Sequence, residues 1–305
     1  MAILVVGIHT GPFEFNIWLD RAFGLITRFC VPFFFVISAF FFFVSEKPLS
    51  KYLIRNLILY ISWVVIYCCF GLKNLSELSM TEILRLFLWS GYGVTWYLLA
   101  TIYATILIYG IYKYCSVKKT IWCACILYLI GCLLSSWSPI LRVGFGLNVE
   151  NIAAVLGFRN GLFYAPIFIA IGLWLSVRKK YKSNITRNIL GFILSFTVLI
   201  VETVVLVIYF KTKSTILFLA TVPATYFLCN MVLNTYVEIP KYFALIIRKI
   251  SVFVYFIHPI VNHLFKLYGW NNSFSLFLVV SVCSCFIGYL LIKISKKITF
   301  IKYLA

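Results

Sequence analysis

Residues 28–44 read RFCVPFFFVISAFFFFV, an apolar run with a single charged residue, Arg28. A helix that crosses a bilayer needs about 20 mainly apolar residues, and this run keeps its apolar character back to residue 23. Similar runs recur along the chain, in which 63% of the residues are hydrophobic and 11% are charged. A soluble domain of 305 residues could not bury so much apolar surface. The composition therefore predicts an all-α, polytopic membrane helix bundle.

Short polar breaks divide the chain into ten apolar segments. We expect about ten transmembrane helices in a single integral membrane domain that covers residues 1–305. The predicted spans are 1–12, 23–44, 54–72, 94–112, 120–138, 161–178, 188–208, 214–234, 250–267 and 273–293. Only about a dozen apolar residues precede Glu14, so we expect the first helix to be truncated.

The distribution of positive charge predicts the orientation. Alternate loops carry 18 Lys and Arg residues, whereas the loops on the opposite side carry 8. The positive-inside rule then places both termini in the cytoplasm and the chain in the inner (cytoplasmic) membrane. Because the cations are concentrated in short loops, the net charge of +19 indicates contact with the lipid bilayer and not with nucleic acid. The ten cysteines lie mostly in apolar runs, where they are typical small hydrophobic side chains, and we expect no metal site.

Ionisable residues within predicted spans are the first candidates for a functional site. A charged side chain near the bilayer centre costs at least about 2.5 kcal/mol, so such residues usually mark a binding site or a pathway. His9 is the leading catalytic candidate, since a neutral imidazole can take a proton from a hydroxyl and return it; the alternative is a packing histidine. Glu202 could orient an imidazole or an arginine, or form a structural ion pair. Arg28 could stabilise a developing oxyanion, or reach to the outer headgroups.

Other residues extend the candidate site. The spacing predicts that Ser38 shares a helical stripe with Arg28. His258 lies near the middle of its span, directly before Pro259, which is expected to open the backbone there. Further candidates for substrate binding are Trp96, Arg159 and Asn160, at the outer ends of two spans, although aromatic residues at an interface are common belt residues. Lys51 and Arg55 could bind the phosphates of a cytoplasmic coenzyme, or could simply reflect positive-inside topology.

Several motifs, taken in order, resemble the signatures of the acyltransferase-3 family of integral membrane proteins. The resemblance covers essentially the whole chain with the same ten-span plan. The motifs are Gly7-Ile8-His9-Thr10, Arg28-Phe29-Cys30-Val31-Pro32-Phe33-Phe34-Phe35-Val36-Ile37-Ser38, Trp96-Tyr97-Leu98, Arg159-Asn160-Gly161-Leu162-Phe163 and Val254-Tyr255-Phe256-Ile257-His258-Pro259.

The resemblance implies an O-acyltransferase that moves an acyl group, usually acetyl, from cytoplasmic acyl-CoA to a hydroxyl of a cell-surface sugar or polysaccharide precursor. It implies that His9 is the catalytic histidine, that Arg55 belongs to a basic motif that meets the coenzyme, and that Glu202 matches an acidic position in a late span. The expected donor is acetyl-CoA and the expected acceptor is a carbohydrate.

The chain departs from the family pattern at three positions. The basic residue that usually precedes the histidine would lie before Met1, Tyr52 replaces the first arginine of the basic motif, and Ala39 follows Ser38 where glycine is common. The alternative interpretation is a transporter or flippase for an envelope glycan or a small anionic substrate. Intramembrane His, Arg and Glu residues also suit a substrate or proton pathway.

Overall fold

The computed structural model describes residues 1–72, 77–147, 149, 157–178, 184–212, 214–235, 238–270, 272–298 and 304. Within these ranges the secondary structure is helical throughout, which confirms the predicted all-α class. The α-helices are α1 (Ala2–Thr10), α2 (Ile17–Thr27), α3 (Cys30–Val44), α4 (Leu49–Cys69), α5 (Met80–Arg85), α6 (Trp96–Tyr114), α7 (Val117–Leu134), α8 (Ser138–Phe145), α9 (Ala165–Arg178), α10 (Ile185–Thr203), α11 (Thr221–Asn234), α12 (Lys241–Leu267) and α13 (Ser273–Ile294). Two π-helical turns, Leu86–Ser90 and Val204–Tyr209, and one 3₁₀ turn, Gly93–Thr95, complete the described elements.

Helices lie at all ten predicted span positions, but they differ in length. Among the described residues, seven helical segments are long and apolar enough to cross a membrane, as expected of a polytopic bundle: Ile17–Val44, Leu49–Cys69, Gly93–Tyr114, Val117–Leu134, Ile185–Tyr209, Lys241–Leu267 and Ser273–Ile294. The helices α1, α9 and α11, at the other three positions, are shorter. The nine residues of α1 rise only about 14 Å, less than half the thickness of a hydrocarbon core.

One predicted span, 23–44, contains a helix break. The α2 helix ends at Thr27 and α3 begins at Cys30, so Arg28 lies at the junction and not within α3. The expected stripe that joins Arg28 to Ser38 on one continuous helix is therefore interrupted. Pro32 is the third residue of α3, where its missing N–H would have no intrahelical partner in any case.

The chain divides into two compact units, which we describe separately. Unit 1 comprises Met1–Cys30, Leu53–Leu99 and Val237–Ala305, and unit 2 comprises Val31–Tyr52 and Ala100–Tyr236. The single domain expected over residues 1–305 stays a prediction.

Unit 1 is organised around α12, against which α1, α4 and α13 pack. A Cβ on Gly288 of α13 would lie 3.0 Å from the Cβ of Phe253, so this glycine lets the two helices approach closely. On the α4 side, the indole of Trp63 stacks on Phe256 with 5.2 Å between ring centroids, and the Tyr67 hydroxyl donates to the Phe256 carbonyl at 2.6 Å. These contacts hold the middle of α12, the segment that contains His258.

Unit 2 is organised around α9, in which all residues except Trp174, Val177 and Arg178 are buried. The α7 helix packs along α9, and its Tyr128 hydroxyl donates to the Phe218 carbonyl at 2.9 Å, just before α11. The α10 and α11 helices form a second pair, in which the Asn230 side-chain amide donates to Oδ1 of Asn188 at 3.0 Å.

Candidate functional site

Two of the predicted site residues, His9 and His258, meet within unit 1. The centroids of their imidazole rings are 5.1 Å apart, with 41° between the ring planes. His9 is exposed near the end of α1, which Gly11 terminates in the left-handed conformation at φ 60°. His258 is fully buried in the middle of α12. We call these two residues the histidine pair. In this pair, the accessible imidazole of His9 lies against the imidazole of His258, which solvent does not reach.

The hydrogen bonding of His258 defines its tautomer. Nδ1 lies 3.0 Å from the carbonyl oxygen of Val254, and since a carbonyl only accepts, Nδ1 is the donor. In the neutral ring, Nε2 then carries a lone pair and no proton. This buried Nε2 has no hydrogen-bond partner among the described residues. An unsatisfied buried polar atom is uncommon in native proteins, and here it is an acceptor next to the leading catalytic candidate.

Asn262 is a member of the site that the sequence did not single out. It lies one turn after His258 on α12, and its side-chain amide donates to the backbone carbonyl of His9 at 3.2 Å. Its Oδ1 is buried and has no hydrogen-bond partner within the described ranges. Because α1 is short, this bond helps to fix the end of α1 that carries His9. The spacing of four residues from His258 is the signal that could have identified it.

Pro259 does not end its helix, since α12 runs from Lys241 to Leu267 without interruption. Proline has no N–H, so it cannot donate to the carbonyl of Tyr255 one turn earlier. Nearby carbonyls of α12 instead receive side-chain donors, as Val254 does from His258 and Phe256 does from Tyr67. The expected opening at Pro259 therefore leaves α12 continuous, and the two carbonyls on either side of that of Tyr255 accept side-chain donors.

The remaining unit 1 candidates, Arg28, Trp96 and Arg55, occupy helix ends and a helix surface, and Lys51 of unit 2 lies on the same helix as Arg55. Arg28 is half-buried at the junction between α2 and α3. Trp96 is buried at the first turn of α6. Arg55 is exposed on the second turn of α4, and Lys51, also exposed, precedes it by one turn on the same helix. Their proposed contacts with substrate or coenzyme stay predictions.

In unit 2, Tyr52, which the resemblance identified as a departure from the expected basic motif, is used for packing. The hydroxyl oxygen of Tyr52 lies 2.7 Å from Oγ of Ser38. The centroid of the Tyr52 ring lies 4.4 Å from that of Phe42. Ser38 is thus bonded to the residue that replaces the arginine. A role for Ser38 in substrate binding stays a prediction.

Asn160 shapes the turn that leads into α9. Its Oδ1 accepts from the N–H groups of Leu162 and Phe163, both at 2.9 Å, and its amide donates to the Gly157 carbonyl at 2.7 Å. This is an Asx-type turn, in which a side chain replaces backbone partners. The neighbouring Arg159 is exposed. Substrate binding by either residue stays a prediction.

Glu202 accepts three hydrogen bonds within unit 2. The donors are the indole N–H of Trp137 at 2.9 Å and the backbone N–H groups of Leu219 at 2.7 Å and Ala220 at 2.8 Å. Ala220 directly precedes α11, so the carboxylate sits at the N-terminal end of that helix, where negative charge is favoured. We call Glu202, Trp137 and these two backbone groups the Glu202 niche. Its geometry fixes the entry to α11, and a catalytic role for Glu202 stays a prediction.

The ten predicted site residues divide equally between the units. Those in unit 1 are His9, Arg28, Arg55, Trp96 and His258, and those in unit 2 are Ser38, Lys51, Arg159, Asn160 and Glu202. The structure brings His9 and His258 together. The expected convergence of His9 with Arg28 or with Glu202 stays a prediction. Among the described residues, no group of three or more His, Cys, Asp or Glu side chains could hold a metal ion.

The sequence of this chain is similar to those of several known proteins. A family model described as an acyltransferase domain matches residues 1–293. A protein named amino-acid racemase from Enterococcus faecalis is 28% identical over 324 residues, which cover 97% of this chain and 45% of that protein. A serine/alanine racemase from Enterococcus gallinarum is 25% identical over 280 residues, 85% of this chain and 39% of that protein. The chain thus spans less than half the length of these curated relatives. No solved structure gives a significant match.

Proposed function

Because the chain belongs to the acyltransferase-3 family, we propose that it moves an acyl group, in the simplest case acetyl, from cytoplasmic acyl-CoA to a hydroxyl of a cell-surface sugar. The coarser activity, that of a membrane acyltransferase, follows from the family match and from the seven long apolar helical segments among the described residues. The donor, the acceptor and the orientation in the inner membrane belong to the proposal. The observation that carries it is the histidine pair, an exposed imidazole held against a buried one.

The proposed chemistry needs one base that exchanges a proton twice. The acceptor hydroxyl gives its proton to the His9 imidazole while its oxygen attacks the thioester carbonyl carbon. The carbon–sulfur bond then breaks, and the CoA thiolate leaves and recovers the proton from His9. Atoms and charge balance without a metal or a redox partner.

His258 and Asn262 act as positioning residues in this scheme. Nε2 of His258, which has no hydrogen-bond partner among the described residues, can accept from an N–H of His9 or from the hydroxyl of the acceptor and so orient it. Asn262 holds the backbone carbonyl of His9. Arg28 would stabilise the oxyanion, and Arg55 with Lys51 would bind coenzyme phosphates. The roles of Arg28 and Lys51 rest on the chemistry of their side chains, and that of Arg55 rests in addition on the family resemblance.

The name of one relative suggests a second acceptor to test. Because one of the relatives is named a serine/alanine racemase, free serine is a hydroxyl acceptor worth testing beside glycans. Racemisation itself is not proposed for this chain, which spans less than half of those proteins.

The test measures acceptor-dependent release of CoA from acetyl-CoA by membranes that contain the protein. Three forms are compared: the unchanged chain, His9→Ala and the matched control His263→Ala. His263 also lies on α12, five residues after His258 and thus about 140° around the helix. The unchanged chain and the control should release CoA in proportion to acceptor, and His9→Ala should be slower by about a hundredfold or more.

The same assay separates the enzyme from a transporter. A transporter or flippase would move substrate across the membrane and release no CoA, with or without acceptor. Mass spectrometry of the glycan or serine product then identifies the acceptor through its added acetyl group. Equal CoA release by His9→Ala and the unchanged chain would contradict the proposed role of His9.

A further inference from the structure

An apolar groove lies in unit 2 between α7, α9 and α11, and its described lining includes none of the ten predicted site residues. Its volume is about 550 Å³, in the range of sites that hold one small molecule or one chain of a larger one. The walls are apolar and aromatic, with Ile121 and Trp122 from α7, Ile171 from α9 and Phe227 from α11. Trp122 is 69% exposed, so the groove opens to the surroundings of the helices.

One end of the groove is positively charged. Lys118 lines it on the first turn of α7 and is exposed. Trp174 lines it from α9, and the Arg178 guanidinium carbon lies 4.0 Å from the centroid of the Trp174 ring. Arg178 is the last residue of α9, so both cations stand at the end where α7 begins and α9 ends. Arg178 contacts the groove through Trp174 and does not itself line it, and the described lining residues other than Lys118 are uncharged.

We infer that this groove binds an anionic phospholipid, with an acyl chain in the apolar part and the phosphate between Lys118 and Arg178. The helices that form it belong to a membrane protein, so the molecules that meet its open side are lipids. Basic pockets between transmembrane helices select anionic headgroups, and each cation near the headgroup contributes to that preference. This site is independent of the proposed transferase chemistry.

Charge complementarity selects this occupant over others. A zwitterionic lipid would gain the apolar contacts but would bring its own cation to Lys118 and Arg178. A free phosphate would gain the charges and leave the apolar groove empty. The Arg178–Trp174 stack also holds the guanidinium plane at the groove end, where an isolated arginine would extend into water.

The first experiment compares lipid retention by the purified full chain. Phosphatidylglycerol and phosphatidylcholine with identical acyl chains are titrated in detergent, and bound lipid is counted by native mass spectrometry. The unchanged chain should retain phosphatidylglycerol about tenfold more strongly than phosphatidylcholine. Lys118→Gln with Arg178→Gln should abolish the difference. Each form is first checked for an unchanged melting temperature.

A matched double variant controls for general positive charge. Lys293 lies in the last turn of α13, with its ammonium 4.7 Å from the Tyr289 ring, and Lys113 stands near the end of α6 over Tyr114. Lys113→Gln with Lys293→Gln removes the same number of positive charges outside the groove. It should keep the preference for phosphatidylglycerol. Equal retention of the two lipids by the unchanged chain, or equal losses in both double variants, would overturn the inference.

A crosslinking experiment locates the lipid without any substitution. Phosphatidylglycerol with a photoreactive group in its acyl chain should label peptides of α7 and α11 that line the groove. An excess of inorganic phosphate alone should not reduce this labelling. Labelling elsewhere would overturn the assignment of the site, and complete competition by inorganic phosphate would show that a free anion is the occupant.

Discussion

The histidine pair in unit 1 and the Glu202 niche in unit 2 differ in how fully their buried polar atoms are hydrogen-bonded. His258 is fully buried and its Nε2 has no hydrogen-bond partner among the described residues, whereas Glu202 accepts three hydrogen bonds. An unsatisfied buried polar atom costs about 1–3 kcal/mol, so such an atom is usually retained for a reason other than stability. The comparison predicts that the histidine pair serves the reaction and that the Glu202 niche serves the fold.

The largest effect is expected at His9. In His9→Gln the side chain still forms hydrogen bonds but cannot take and return a proton near neutral pH. Acyl transfer should fall by about a hundred- to ten-thousand-fold, while the melting temperature stays unchanged because the side chain is exposed. CoA release and thermal unfolding are measured on the same preparation, with His263→Gln as the control. A parallel loss of activity and stability would place His9 with the structural residues.

Substitution of Glu202 should have the opposite effect to that of His9: stability should fall and activity should remain. Glu202→Ala leaves three donors without their acceptor, and the free energy of unfolding should fall by about 3 kcal/mol or more. Activity per folded molecule should remain. Chemical or thermal unfolding in detergent measures the change, and Glu238→Ala, an exposed carboxylate, is the control. Unchanged stability with lost activity would instead support the catalytic role that the sequence suggested.

Two substitutions of His258 test which of its two ring nitrogens matters for acyl transfer. In His258→Asn, the side-chain amide can replace the Nδ1 donor to Val254, but nothing replaces Nε2. In His258→Gln, the longer side chain brings a polar atom close to the Nε2 position. If Nε2 positions His9 or the acceptor, acyl transfer should fall about tenfold in the Asn variant and less in the Gln variant. The opposite order would assign the effect to Nδ1 and the helix backbone.

Trp137 should give the smallest effect. Trp137→Phe removes one of the three donors to Glu202 and keeps an aromatic ring, so the free energy of unfolding should fall by about 1 kcal/mol. Acyl transfer should not change. Thermal unfolding measures the difference against Trp18→Phe, in which an exposed indole is replaced. A loss of activity at constant stability would contradict the structural role of the niche.

Much of the fold could be predicted because lipid constrains sequence strongly. Helices lie at all ten predicted positions, since apolar runs of sufficient length have few alternatives to a helix in a membrane. The short α1 is expected, because only about a dozen apolar residues precede Glu14. The break at Arg28 and the short α11 depend on local geometry that apolar composition does not encode.

The candidate site was only partly visible in the sequence. His9 and Glu202 were flagged by the same rule, that an ionisable residue in an apolar span marks a site. The rule cannot distinguish them, because it counts charges and not hydrogen bonds. Asn262 and Trp137, which hold His9 and Glu202 in place, are uncharged and were missed for that reason.

The sequence by itself determined that this is a polytopic helical membrane protein of the acyltransferase-3 family, because apolar content, loop charge and ordered motifs are properties of the chain alone. Only the tertiary structure decided which polar residues have partners. It placed His258 beside His9 and gave the carboxylate of Glu202 three donors. It also formed an apolar groove that Lys118 lines and whose Trp174 wall contacts Arg178. Hydrogen bonds and cavities form between helices that are distant in sequence, and their geometry exists only after the helices pack.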